Sequence, residues 1–498
     1  MNITPKDIRG LDLFHAGTEA LSEVESAGIR IDVGYLNNTR KELKAQIKED
    51  GNELLASKEW QMWRKRFGQK ANIESNPQLG VIAYNEMGLE VLKRTDKGAP
   101  STDEEAFESY DNPFIKKLTR YKKRIKALTT YLDNIRREVS ADGYLHPVFS
   151  LNTVITMRSS SENPNFQNIP IRDPEVGRLI RRAFIPRPGC VLLENDFKGL
   201  EVCVSACYNK DPVLISYIKD PTKDMHRDMA AQIYKLKAKQ VSKKTRYGAK
   251  NKFVFPEFYG SFWAQCAPSL WEWMDVGQLK VEGSEMSVRD HLAAQGITEL
   301  GDCSIDEERG IASPQPGTFA NHVMSVEKDF WNKRFRVYAQ WKKDYFAEYQ
   351  RKGYFDTYTG FRLQGIFKRN EAVNYPIQGS GFHCLLWTLV HSLRAKRKAK
   401  MSSLVVGQIH DSMLSDIPVE ELDDFSAMVN ELVSIELPKV WDWIVVPMQI
   451  ETEICPPEYT WFDKKEVQYN DGLFSLEGKQ MSSTNLLKLL QQKVKATA

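Results

Sequence analysis

The stretch Cys190-Val191-Leu192-Leu193-Glu194-Asn195-Asp196-Phe197-Lys198-Gly199-Leu200-Glu201 decides how this chain is read. An apolar, partly β-branched run stops at carboxylates, and Glu201 follows Asp196 one helical turn or more downstream. Such a run reads as a buried strand delivering Asp196 to its end, followed by a tight turn through Gly199. A partner lies far down the chain. Val405 through Ile417 reads as a β-hairpin with His410-Asp411-Ser412 at its tip. Two strand-end aspartates from distant segments can meet on one sheet. There they can hold two divalent cations roughly 3.5–4 Å apart, an arrangement suited to transferring phosphoryl or nucleotidyl groups.

The 498 residues suffice for about two to four domains and a large core. No apolar run reaches the ~20 residues of a membrane span, and the N-terminus lacks the basic-then-apolar layout of a leader. The seven cysteines (190, 203, 207, 266, 303, 384 and 455) are scattered, with no CxxC pair. That pattern implies a reduced, cytoplasmic protein without structural zinc. A net charge of +3 is nearly neutral, so any attraction to nucleic acid must come from local patches.

Residues 1–35 read as helical up to Gly28-Ile29-Arg30-Ile31-Asp32. Residues 113–138 carry apolar side chains at alternating spacings of three and four, which predicts one long amphipathic helix. Its other face bears Lys116, Lys117, Arg120, Lys122, Lys123, Arg124 and Lys126: either a solvated face or a clamp on a nucleic-acid backbone. Residues 153–158 read as a strand ending at Arg158. The polar, proline-bounded run Ser159–Pro170 reads as a loop whose amide side chains suit sugar and base edges. From Lys235 to Lys252 there are eight basic residues and no acid, too lopsided for an ordinary solvated face. Phe253, Phe255, Phe258 and Tyr259 follow at once. Cations beside aromatic surface suit a nucleotide, with charge for the triphosphate and a ring for the base. Further on, 353–362 reads as a hairpin, Asn374 as a helix start and 448–454 as a half-exposed strand. The last thirty residues read as a polar tail with a short helix.

These landmarks agree in order and spacing with one family. Gly28-Ile29-Arg30-Ile31-Asp32, Arg158 with Asn163–Pro170, Asp196 with Glu201, Asp224-Met225-His226-Arg227 with the basic helix and Tyr259-Gly260, and His410-Asp411 together resemble the polymerase domain of family A DNA polymerases, the group of bacterial DNA polymerase I and its phage relatives. The resemblance implies an α+β right-hand fold, with an antiparallel-sheet palm and mainly helical fingers and thumb. Residues 1–35 would pack on the palm, 36–142 form the thumb, 143–208 and 353–460 the two palm segments, and 209–352 the fingers with an insertion near 265–325. Residues 461–498 would be the tail. The resemblance also implies template-directed, primer-dependent addition of dNTPs. Asp196, Asp411 and the main-chain carbonyl of Phe197 would hold two Mg²⁺, with Mn²⁺ as a substitute. His226, Arg246 and Lys250 would contact the triphosphate, Phe255 and Tyr259 the sugar and base, and Glu201 the space beneath the sugar 2′ position. Arg158, Gln167, Asn168, Asn374, Gln378 and His410 would hold the primer–template. The implied partners are primer–template DNA and dNTPs, with a monomeric protein, no membrane, and a cytoplasmic location, in a host cell if the gene is phage-borne.

The chain also departs from the family pattern. Phe-Lys-Gly follows Asp196 where Tyr-Ser-Gln is common, and Cys203 stands where Arg is usual. Ser412 replaces a Glu. Lys250 to Phe255 is one residue longer than usual, and Pro256 follows where Gly is common. Proline cannot make the helical bond to residue 252, so a π-bulge between 250 and 256 is expected to absorb the extra residue. Residues 261–325 look longer than the family's equivalent. Because the polymerase-like pattern begins within the first thirty residues, no proofreading 3′–5′ exonuclease is expected in this chain. Two other readings stay open: a single-subunit RNA polymerase, against which Glu201 argues, and a catalytically silent DNA-binding protein, for which Ser412 argues.

Overall fold

Seven antiparallel strands carry the two aspartates. Across the sheet their order is Leu404–Ile409, Ser412–Pro418, Cys190–Phe197, Ile450–Cys455, Lys465–Asn470, Leu473–Leu476 and Lys479–Met481. This computed structural model describes residues 6–91, 93–95, 98–108, 110–171, 173–306, 310–470 and 472–497. The first five residues of the segment read for a leader lie outside them.

The Cys190–Phe197 strand is central because its apolar residues are buried on both faces; Val191, Leu192 and Leu193 are all in the core. Register places Ser412 opposite Asp196 on one side and Glu451 opposite it on the other. Gly199 takes φ 58°, the left-handed turn the sequence predicts, and the Leu200–Asn209 helix starts directly after it. The 30-residue helix Arg369–Lys398 is almost wholly buried and packs with the Gly10–Ala27 helix. It begins five residues before Asn374 and runs straight through Pro376. The hairpin strand is irregular between Val405 and Gly407. Gly407 is required there: a Cβ would lie 2.5 Å from the Phe166 ring.

Residues 113–138 are helical throughout, with a π-turn at Ala127–Leu132. They help enclose a second, smaller apolar core with Leu54, Trp63, Leu79, Ile82 and Phe107. The basic face is largely paired. Lys117 meets Glu53, Arg120 and Arg124 meet Asp50, and Lys123 meets Glu104 and Asp173. The segment read for length, 261–325, holds the Trp263–Val276 and Val288–Ala293 helices and a two-stranded pair, with Arg289 stacked 3.5 Å from the Trp271 ring centroid.

Two expectations fail. Residues 153–158 form no strand; the pairing strands are Val148–Ser150 and Ser160–Glu162. The segment is laid against the long helix instead. The His383 ring bonds the Met157 carbonyl at 3.0 Å, and a Cβ at Gly379 would sit 2.5 Å from the Thr156 carbonyl oxygen. Tertiary contact has overridden a local β pattern. The described residues of 461–497 include the short helix expected near the end but are not otherwise a polar tail. Three strands extend the sheet, burying Val467, Phe474 and Leu476, and the Ser483–Thr497 helix covers them with Leu486, Leu487 and Leu490. Strands of three to six residues, each only half buried, leave a polar-looking sequence. Among the described residues no helix is long and apolar enough to cross a membrane.

Candidate active site

The strand end and the hairpin tip bring Asp196 and Asp411 together. The Phe197 N–H donates to the Asp411 carbonyl at 3.2 Å, locking the two segments edge to edge. Desolvation and the charges of Asp411, Glu194 and Glu451 push the Asp196 carboxyl up to about 7. Burial raises Asp411 as well, against the opposing pull of Arg158. Facing carboxyls that resist ionising together are suited to a divalent cation, and their oxygens are the hard donors that Mg²⁺ takes. Among the described residues no three His, Cys, Asp or Glu side chains form a closed metal cage. Asp196 and Asp411 are thus two carboxylate donors that the site itself offers a cation.

Ser412 faces inward. Its hydroxyl lies 3.2 Å from Glu194 Oε1 and 3.0 Å from the Ile409 carbonyl. Glu194 also accepts from Trp461 Nε1 at 2.9 Å and Lys464 Nζ at 2.6 Å. Although burial opposes ionisation, the Lys464 charge and these hydrogen bonds hold its carboxyl below the usual range. The acid missing at 412 thus has a charged, fully bonded neighbour on the adjacent strand.

A cavity of about 420 Å³ opens beside the aspartates. Asp196, Phe197, Glu201, Lys250, Phe255, Tyr259, Asn374 and Asp411 all line it. Glu201 is ion-paired with Arg158, whose Nε donates to the Gln378 carbonyl at 3.3 Å. Arg158 therefore ties the loop to the long helix and to the cavity floor. Asn374 Nδ2 donates to the Tyr259 carbonyl at 3.0 Å, at the point where Gly260 turns the chain with φ 98°.

Lys250, Phe255 and Tyr259 reach the cavity through one local irregularity. Lys243–Ala249 is α-helical, Lys250–Val254 is a π-turn, and Phe255–Tyr259 is α-helical again. The expected bulge is present, and it lets Lys250 and Phe255 face the same space. Lys250 Nζ lies 5.1 Å from the Phe255 ring centroid. Arg246 Nε pairs with Asp224 at 2.7 Å, and Asp224 also caps the helix that carries His226. The His226 ring meets Phe255 edge-on at 5.7 Å. Burial and the charges of Arg246 and Lys250 hold His226 down at about 4. It is neutral at pH 7, and its buried Nδ1 has no hydrogen-bond partner.

Arg158, Gln167, Asn168, Gln378 and His410, like His226 and Arg246, do not themselves line the cavity. Gln167 Nε2 donates to Ser159 Oγ at 2.8 Å and to Gln408 Oε1 at 2.7 Å, and Gln408 Nε2 donates to the His410 carbonyl at 2.6 Å. These bonds form a polar strip leading to the hairpin tip, where His410 is exposed with φ 49°. Asn168 is exposed at the end of the single turn Phe166–Asn168. Sequence reasoning missed Tyr338 as a cavity wall and Gln408 and Lys464 as supports. The aromatic spacing Trp331, Tyr338, Trp341, Tyr345 was the available signal for Tyr338.

Residues 36–271 match the profile of DNA polymerase family A. The chain is 27% identical over 452 residues to DNA polymerase I of Lactococcus lactis subsp. cremoris, covering 90% of this chain and 45% of that protein. It is 24% identical over 467 residues to the thermostable DNA polymerase I of Thermus thermophilus, covering 90% and 48%. A DNA polymerase of Bacillus phage SP01 is 27% identical over 387 residues, covering 74% and 37%. The chain spans about half the length, or less, of these curated relatives. The polymerase domain of Pol1 from M. smegmatis, solved in complex with DNA primer–template and dNTP, matches with a TM-score of 0.67 at 22% identity, over 90% of this chain and 70% of that one. The fold is therefore the α+β right-hand polymerase fold, and the resemblance to the polymerase region of family A is borne out.

Proposed function

We propose that this chain, similar over most of its length to the polymerase region of family A DNA polymerases, is a primer-dependent DNA polymerase that copies a DNA template from dNTPs. The observation that carries this reading is the convergence of Asp196 and Asp411 in one cavity with Lys250, Phe255 and Tyr259. Asp196, Asp411 and the Phe197 carbonyl would hold two Mg²⁺, which when bound supply activation of the primer 3′-hydroxyl and neutralisation of triphosphate charge.

The protein's own residues do the rest. Lys250, Arg246 and neutral His226 bind the triphosphate and offset charge building on the departing pyrophosphate. Arg246 gives up part of its pairing with Asp224 to do so. Phe255 and Tyr259 pack on the sugar and base, and Glu201 occupies the space a 2′-hydroxyl would need. Arg158, Gln167, Asn168, Asn374, Gln378 and His410 hold the primer–template along the strip from the loop to the hairpin. Base selection comes from pairing with the template, checked by the shape of this pocket. On this reading 143–208 and 353–460 form the palm, 36–142 the thumb and 209–352 the fingers. Residues 1–35 brace the palm through the Gly10–Ala27 helix, and the protein acts as a monomer.

The test is extension of a labelled primer–template with Mg²⁺ and either dNTPs or rNTPs, with Asp411→Asn in parallel. Templated extension with dNTPs alone, lost in Asp411→Asn, supports the proposal. Extension with rNTPs would make it an RNA polymerase. Tight, salt-sensitive primer–template binding without extension would make it a silent binding protein.

A further inference from the structure

We propose that Glu257 is a positioning residue for the nucleotide site: bound to Trp331, it fixes the rotation of the Phe255–Tyr259 helix and so the aim of Phe255 and Tyr259. The inference rests on the function proposed above.

That helix is poorly fixed by its own backbone. It is five residues long, follows a π-turn and ends at left-handed Gly260. Pro256, its second residue, has no N–H to give. A continuous ladder of i to i−4 bonds would set the rotation; here something else must. Glu257 lies two residues from both Phe255 and Tyr259, about 200° around the helix and hence on the opposite face. It is fully buried.

Trp331 Nε1 donates to Glu257 Oε2 at 2.8 Å. Cys266 Sγ lies 3.7 Å from the other oxygen. The Trp331 ring is itself held, with Lys342 Nζ 3.3 Å from its centroid. Phe258, the next residue of the helix, packs on Phe330, Trp331, Phe335 and Tyr338. Tyr338 in turn lines the nucleotide cavity. The groups facing Glu257 are thus Lys342, Glu327 and Cys266. Burial, with the Glu327 charge, pushes Glu257 up to about 8, and burial brings Lys342 down to about 7. An apolar side chain would fill the same space without desolvating a carboxyl group. What the acid adds is direction, because an N–H···O bond constrains the angle at which the helix meets Trp331.

The test uses the full chain on a chain-terminated primer–template, where the dNTP concentration that half-saturates the ternary complex is read without chemistry. Steady-state extension is run beside it. Glu257→Gln, which keeps an acceptor oxygen, is expected to stay within about twofold of the unaltered protein. Glu257→Leu and Trp331→Phe should each raise the half-saturating dNTP about fivefold, the loss expected of one hydrogen bond. In both, kcat and primer–template affinity should remain within about twofold. Trp331→Phe keeps an aromatic ring at this half-buried position, so the test survives if the leucine variant does not fold. Unchanged dNTP binding in the variants would overturn the positioning role alone. So would a Gln variant as impaired as the Leu variant, or parallel loss of dNTP and DNA affinity. Absence of dNTP binding by the unaltered protein would overturn the functional reading along with it.

Discussion

Replacing Glu201 with alanine should relax sugar selection. Glu201 lines the cavity beside the aspartates and is ion-paired with the Arg158 guanidinium, which would keep its carboxyl group from swinging aside for an extra hydroxyl. Forcing one oxygen into a well-packed, held site costs about 1–3 kcal/mol. At 1.4 kcal/mol per tenfold, that is roughly a 5- to 150-fold contribution to dNTP-over-rNTP preference. Glu201→Ala should give back most of it. Glu201→Gln keeps the volume and should keep the preference, which separates bulk from charge. Arg158 also acts on Asp411, lowering its pKa. Freeing Arg158 will therefore alter the rate itself, so the assay must be the ratio of kcat/KM for a dNTP and the matching rNTP. An unchanged ratio in Glu201→Ala, or equal loss in Glu201→Gln, would refute the steric argument.

Three further outcomes are expected. Phe255→Tyr should increase dideoxynucleotide use in chain-termination assays, because a phenolic oxygen can stand in for the missing 3′-hydroxyl; no change would move that role to another aromatic of the cavity. Acid should destabilise the protein through His383, which is fully buried and held at about 3, with its two ring nitrogens bonded to Thr359 and to the Met157 carbonyl. The unfolded state takes up that proton near pH 6.5 and the folded state does not, so this contribution is full above pH 6.5 and is lost as pH falls. It amounts to about 2 kcal/mol between pH 7 and 5; urea melts should show it, and an equal pH dependence in His383→Asn would contradict it. Gly407→Ala should cost about 1–3 kcal/mol in the same melts by pressing a Cβ into the buried Phe166 ring, and Phe166→Leu in the alanine background should recover part of it.

Much of the site was legible because its signals are local. An apolar run ending in Asp196 and a turn at His410-Asp411 each announce a strand end, and the sheet register makes them neighbours. The π-turn was legible from one extra residue between Lys250 and Phe255 and from Pro256. What stayed hidden depends on partners far apart in sequence. Ser412, Glu194, Trp461 and Lys464 form one network from three segments, and no spacing rule joins them. The cations of the 113–126 face look available until Asp50 and Glu53, more than sixty residues upstream, are seen to pair with them. Residues 153–158 have strand-like composition but are claimed by the His383 and Gly379 contacts of the long helix. The three C-terminal strands were missed although Gly472 and Gly478, both at φ 81°, stand between them.

The central claim is that Asp196 and Asp411 act as one reaction centre. Single-turnover extension of a defined primer–template by the unaltered protein, Asp196→Asn, Asp411→Asn and the double variant tests it most directly. Residues that work as a unit are strongly non-additive. The account predicts that each single variant loses nearly all extension while still binding primer–template, and that the double variant is scarcely worse than either. Extension retained in either single variant, or losses that multiply in the double variant, would contradict it.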